Sequence, residues 1–215
     1  MRIGLIGGTG REGRGLALRW ARAGHHVAIG SRDPAKAQAR ADELSALVPA
    51  AFSAGDNAWA CQDAEIVLLS VPYEGHGETL KTLKPHLAGR ILIDITVPLK
   101  PPKVSEVQLP AGLSAALEAQ AILGAETKVI AALHHVSSAH LADPDHAIEC
   151  DVLVAGDDLD AKNKVIALVA DLGTRGFDAG KLVNSIALES ITPILININK
   201  RYKSPGAGIR LTNIP

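Results

Sequence analysis

Aromatic side chains are almost missing from this 215-residue chain: two each of Trp, Tyr and Phe make up 3% of it. With 47% hydrophobic residues, its core must be filled by aliphatic side chains, enough for one globular domain or for one large and one small. Cysteine is scarce too, and Cys61 and Cys150 are too few and too isolated for a disulfide framework. Neither sign of charge is in excess. The 22 Lys and Arg against 23 Asp and Glu argue against nucleic acid or an anionic membrane as partner, and for a small molecule. The start, MRIGLIGG, lacks the charged, apolar and small-residue order of a signal peptide, so a reducing cytoplasm is expected. The apolar run LVNSIALESITPILININ carries Asn184, Glu189, Pro193, Asn197 and Asn199, a load costly in hydrocarbon; it reads as a buried helix rather than a membrane span.

What the chain does have is an alternation of strand and helix signals. RIGLI (2–6) is a short apolar run closed by glycines, and Leu16, Ala17, Trp20 and Ala21 then recur at helical spacing. VAIG follows as a second strand, and DPAKAQARADELSAL as a second helix, with Ser31 or Asp33 as N-cap and Pro34 in its first turn. EIVLLSV (65–71) and RILIDITV (90–97) are apolar runs without period-two alternation, as expected of parallel strands covered on both faces. YEGHGETLKTLKPHLAG supplies the crossover helix between them. PLKPPKVSEVQLP, with four prolines in thirteen residues, is a loop. There follow a helix near SAALEAQAIL, a strand TKVIAAL, a loop HHVSSAHLADPDHA, a strand DVLVAG, a helix LDAKNKVIALVADLG, a strand near TRGFDAG, and a last helix from about Lys181 to Lys200. The parallel rhythm persists to about residue 178. The expected fold is α/β, a Rossmann-type doubly wound parallel sheet: a main domain over 1–135, which opens with the glycine turn, and a smaller C-terminal α/β part over 136–215.

The chemistry begins in GGTGREG, where Gly8-x-Gly10-x-x-Gly13 follows a strand and opens a helix. Its glycines suit a tight turn, close backbone approach to a pyrophosphate, and close helix–sheet packing. Thr9, Gly10, Arg11 and Glu12 are the residues expected around that pyrophosphate, at a helix N-terminus whose amides favour anions. A ribose diol would call for an acidic residue at the end of the second strand, but the chain has Gly30-Ser31-Arg32 there. Ser31, Arg32 and Lys36 supply donors suited to a 2'-phosphate instead, and Asp33 is better used at the helix start. The cofactor expected is NADP. His134, His135, His140, Asp143, Asp145 and His146 lack the paired spacing of metal ligands, and no metal is expected.

These motifs resemble the NADPH-dependent reductases of the deazaflavin coenzyme F420, over nearly the whole chain. The resemblance rests on IGGTG, GLALRWARAGH, GSR with Lys36, the VP pairs at 71–72 and 97–98, ALHH at 132–135, GDD at 156–158, DAG at 178–180 and LESITPILININ at 188–199. It implies hydride transfer between NADP(H) and F420, and a homo-oligomer, usually a homodimer. By position it implies an aromatic Tyr73 after Val71-Pro72 near the nicotinamide, an apolar deazaflavin wall from Val97, Pro98 and Leu99, and a catalytic His134 beside the rings. The run His135-Val136-Ser137-Ser138 departs from the family's small and proline residues, making Ser138 part of a more polar ring pocket. Gly75 and Gly77 flank His76 where a more helical sequence is usual. Two rivals stay open: an NADP-dependent reductase of a small imine or carbonyl compound, with His134, Tyr73 or Lys181 as proton donor, and a regulator that senses NADPH without turnover.

Overall fold

The computed structural model describes residues 1–49 and 51–214. Strand β1 (Arg2–Ile6) runs through a glycine turn into α1 (Arg11–Arg22), and β2 (His26–Ser31) into α2 (Pro34–Ser45). Next come β3 (Phe52–Asp56), α3 (Asn57–Cys61), β4 (Ile66–Leu69), α4 (Tyr73–Leu87) and β5 (Ile91–Asp94). After the proline-rich loop follow α5 (Ala115–Leu123), β6 (Lys128–Ala131), α6 (Ser138–Ala142), β7 (Val152–Gly156), α7 (Leu159–Ala170), β8 (Gly176–Asp178), a 3-10 turn (Leu182–Asn184) and α8 (Ser185–Tyr202).

All eight strands join one sheet in the order β3-β2-β1-β4-β5-β6-β7-β8. The chain winds outward from β1 to β3, then restarts at β4 on the other side of β1. That reversal is the Rossmann-type switch point, and it leaves a crevice at the carboxyl ends of β1 and β4. β4 and β5 are buried at every residue because helices cover both faces. Alternate residues divide between two cores. Ile66, Leu68 and Ile93 meet Leu16, Trp20, Val165 and Leu168 of α1 and α7. Val67, Leu69 and Leu92 meet Leu80, Leu83, Ala116 and Ala119 of α4 and α5.

The sheet departs from the sequence expectation at β7, which pairs antiparallel with β6 before β8 returns to parallel. A parallel return needs a crossover of a dozen or more residues, usually a helix along the sheet. Between β6 and β7 the only helix is the five-residue α6, and β7 therefore runs back. β3, α3 and α6 are elements the periodicity did not announce. The last helix also differs from a buried one: Leu188, Glu189, Pro193 and Leu195 are covered, while Ile194, and Val183 in the turn before the helix, stay half exposed.

Two long-range ties hold α1 to the later chain. Trp20 Nε1 donates to Leu168 O at 3.0 Å. The buried Arg19 guanidinium donates to the carbonyls of His140, Asp143 and His146 at 2.8, 2.6 and 2.6 Å, which organises the loop around α6.

Candidate active site

The carboxyl ends of β1, β4, β5 and β6 open on one cleft of about 570 Å³. Gly10 and Glu12 line it from the glycine turn, Val71, Pro72 and Tyr73 from the start of α4, and Thr96, Val97 and Leu99 from the segment after β5. His134 and Ser138 close it from the loop after β6, and Thr192 and Asn199 from α8. The structure thus brings together nine of the residues expected from sequence: Gly10, Glu12, Val71, Pro72, Tyr73, Val97, Leu99, His134 and Ser138. Pro98 stands apart; it is buried behind the wall against Leu109, Ile186 and Pro193.

The glycine turn divides its labour differently from the fingerprint. Gly7, before the fingerprint begins, has the positive φ of +71° that only glycine adopts easily, and its N–H donates to Asn57 Oδ1 at 3.3 Å. Gly8 is buried and donates to Gly30 O at 3.1 Å. A Cβ on Gly13 would stand 3.0 Å from Gly8 Cα, so α1 sits directly on the turn. A Cβ on Gly10 would meet only Gly7 O at 3.7 Å; the space before it is open. Gly10 is also the N-cap of α1 and offers no side chain to the first turn. Uncapped amides beside open space are what an anion would use.

At the end of β2, Asp33 is committed to the helix: its Oδ1 accepts Ala35 N at 3.1 Å. Ser31 Oγ accepts Asp33 N at 3.1 Å, while Arg32 and Lys36 are exposed on the same edge, as are Arg11 and, partly, Thr9. Arg40, unnoticed in the sequence, reaches the glycine turn from the next turn of α2. Its Nη2 donates to Thr9 O at 3.2 Å, and it pairs with Glu43, which also holds Arg14 at 2.8 Å. Its spacing of four from Lys36 was the available signal.

On the ring side, Tyr73 donates its hydroxyl to Glu118 Oε2 at 2.9 Å. Burial, together with that carboxylate, pushes the phenol up to about 12, so it stays protonated and engaged. His134 is 7% exposed, with both ring nitrogens unpartnered among the described residues. Burial pushes it down to about 4, leaving a neutral imidazole at physiological pH. It is held by its backbone: Thr192 Oγ1 donates to His134 O at 2.8 Å, and Leu133 just before it has a left-handed φ of +66°. Such strain, about 1–3 kcal/mol, persists only where the surroundings fix it. The other polar residues of 134–146 disperse. His135 meets Asp151 O at 2.7 Å, His140 stacks on His146 at 4.2 Å, and Asp145 pairs with Arg22 at 2.6 Å. Among the described residues no three His, Cys, Asp or Glu are grouped to hold a metal ion. Lys181 is exposed and outside the cleft lining.

A glycine turn closing the first strand, a cleft at the strand-order reversal and a strand end without a diol-binding acid define a protein of the dinucleotide-binding class. Residues 2–98 match the family described as NADP oxidoreductase, coenzyme F420-dependent. The chain is 40% identical to the F420-dependent NADP reductase of Methanocaldococcus jannaschii over 223 aligned residues, covering 100% of this chain and 99% of the relative. It is 38% identical to that of Methanothermobacter marburgensis, with 100% of each covered. A crystal structure of a putative F420-dependent NADP reductase from Arthrobacter sp. FB24 superposes with a TM-score of 0.83 at 27% identity, covering 98% of this chain and 99% of the other. The chain belongs to the F420-dependent NADP reductase family.

Proposed function

We propose that this enzyme transfers hydride between NADP(H) and the deazaflavin coenzyme F420. The observation that carries the reading is a single cleft joining the open phosphate side at Gly10 to an apolar wall at Val97 and Leu99 beside the buried, neutral ring of His134. The nicotinamide and deazaflavin rings supply donor and acceptor chemistry when bound. The chain's own residues bind, orient and exclude water. The uncapped start of α1 takes the pyrophosphate through Thr9, Gly10, Arg11 and Glu12, on a turn braced by Gly8, Gly13 and Arg40. Ser31, Arg32 and Lys36 take the 2'-phosphate. Tyr73 and the Val97–Leu99 segment, backed by Pro98, form the slot, in which the reacting carbons should stand about 3–3.5 Å apart. His134, whose ring nitrogens are buried beneath the cleft surface, would turn a neutral N–H toward a ring carbonyl as charge builds there.

The imine or carbonyl rival needs a proton donor. Tyr73 is occupied by Glu118, Lys181 lies outside the cleft lining, and a neutral His134 is the remaining candidate. The rest of the reading follows the family: residues 1–135 hold the nucleotide, residues 136–215 complete the deazaflavin site, and the enzyme is a cytoplasmic homodimer. Two unpaired thiols at Cys61 and Cys150, and the half-exposed Val183 and Ile194 at α8, support those last points. The test is spectroscopic. NADPH mixed with F420 and the enzyme should lose the oxidised deazaflavin absorbance in step with NADPH consumption. Steady turnover of a small imine without deazaflavin reduction would move the enzyme to the rival class.

A further inference from the structure

An ion pair closed to water lies beneath the cleft. His76 Nε2 stands 2.7 Å from Asp94 Oδ2, with side chains 1% and 0% exposed. His76 is on α4, three residues after Tyr73, and its ring stacks on the tyrosine at a centroid distance of 6.1 Å and an interplanar angle of 27°. Asp94 ends β5, and its Oδ1 accepts Thr96 N at 2.9 Å. The Thr96 hydroxyl stands beside the same carboxylate, without hydrogen-bond geometry to any partner among the described residues. Val97 and Leu99 follow directly. One wall of the slot is therefore fastened to the histidine and the other to the aspartate.

We propose that His76 and Asp94 are positioning residues for hydride transfer, a buried pair that fixes the Tyr73 wall and the Thr96–Leu99 wall at the separation the two rings require. The inference rests on the function proposed above. Neither side chain is among the residues lining the cleft. Taking two charges out of water costs several kcal/mol, and well-packed apolar residues of similar volume often stabilise a fold as well or better. What the pair adds is a fixed geometry, and ring-to-ring transfer is sensitive to that: a misplacement of about 1 Å costs about 100-fold in rate.

The protonation state is consistent with this role. Burial alone would push His76 down and Asp94 up, yet the hydrogen bond and opposite charge of the partner outweigh it, and His76 lies above and Asp94 below its ordinary value. The other titratable groups facing the pair are His134 after β6, Glu118 of α5 and Glu189 of α8. Two of these are acids. Without the cation of His76, Asp94 would be left among them with only Thr96 to favour its ionised form.

Three variants of the full chain test the pair: His76→Gln, Asp94→Asn, and the double variant His76→Leu with Asp94→Leu, which removes both charges and keeps an apolar filling. NADPH affinity is read by fluorescence titration, and kcat and KM by deazaflavin reduction across pH. All three should bind NADPH like the wild type and lose about 10- to 100-fold in kcat, the range for a slot loosened by up to 1 Å. In His76→Gln, the pKa of Asp94 should rise, and kcat should fall on the acid side where the wild type is level. Wild-type kcat in the double variant, an unshifted pH profile in His76→Gln, or a loss confined to NADPH affinity would each overturn the proposal. If single variants do not fold, the double variant decides. Wild-type protein that reduces no deazaflavin would remove the underlying function; wild-type turnover with unchanged variants would remove the pair's role alone.

Discussion

Arg32 and Lys36 stand exposed where a dinucleotide's ribose is expected, with Asp33 withdrawn into the helix cap. A charge-assisted hydrogen bond is worth about 1.5–3 kcal/mol, so Arg32→Ala should raise KM for NADPH about 10- to 150-fold. KM for NADH should hardly change, and steady-state kinetics with both nucleotides checks this. Gly10 makes a sharper test because its φ of −70° suits any residue and its missing side chain faces open space. Gly10→Val should fold, losing at most about 1 kcal/mol in helix capping, and should fail to bind NADPH in a titration. The placement of these residues was legible in sequence, since a strand end followed by a capped helix start puts Arg32 and Lys36 on one exposed edge. Gly7 was not, because a positive φ leaves no mark that separates it from the glycine beside it. Nor was the pair of His76 and Asp94, eighteen positions apart, which only the packing of α4 against β5 brings together.

Helix α8 is locked to α5 by a carboxyl group: Glu189 accepts Ala115 N and Ala116 N at 2.8 and 3.0 Å, beside a Ser114–Ser185 contact at 2.7 Å. Burial pushes Glu189 from 4.5 up to about 8, against the pull of those amides. The folded state thus keeps a proton that the unfolded chain has released. This contribution is complete below pH 4.5 and is lost as pH rises toward 8. Glu189→Gln should flatten that decline in a Tm series across pH. It should also lower Tm overall, because glutamine offers one acceptor oxygen for two amides, a loss of about 1 kcal/mol. His134 acts with the opposite sign: its pKa is lowered from 6.5 to about 4, so stability falls as pH drops through that interval. Most of the longer elements were readable because apolar period and capping residues agree, as at Asp158 of α7, which accepts Ala161 N at 2.8 Å. β3 was not, because Ser53-Ala54-Gly55-Asp56 has the composition of a turn and is a strand only through its pairing with β2. The reversed direction of β7 was equally hidden, since a strand's composition does not record which way it runs.

For the molecule as a whole, α8 and the turn before it leave apolar side chains open: Val183 and Ile194 are 51% and 50% exposed. If they mark the homodimer face, Ile194→Glu should convert dimer to monomer in sedimentation velocity; a wild-type monomer would reject the dimer. On α1, Trp20 waits for Leu168 and Arg19 for the carbonyls between His140 and His146. On the ribosome, the 148 residues separating Trp20 from Leu168 take about 7–30 seconds to make at about 5–20 residues per second. Through that interval α1 stands unsealed, its indole N–H and guanidinium lacking the oxygens they hold in the finished enzyme. A chain stopped at residue 135 should therefore be a substrate for chaperones rather than a small NADP-binding protein.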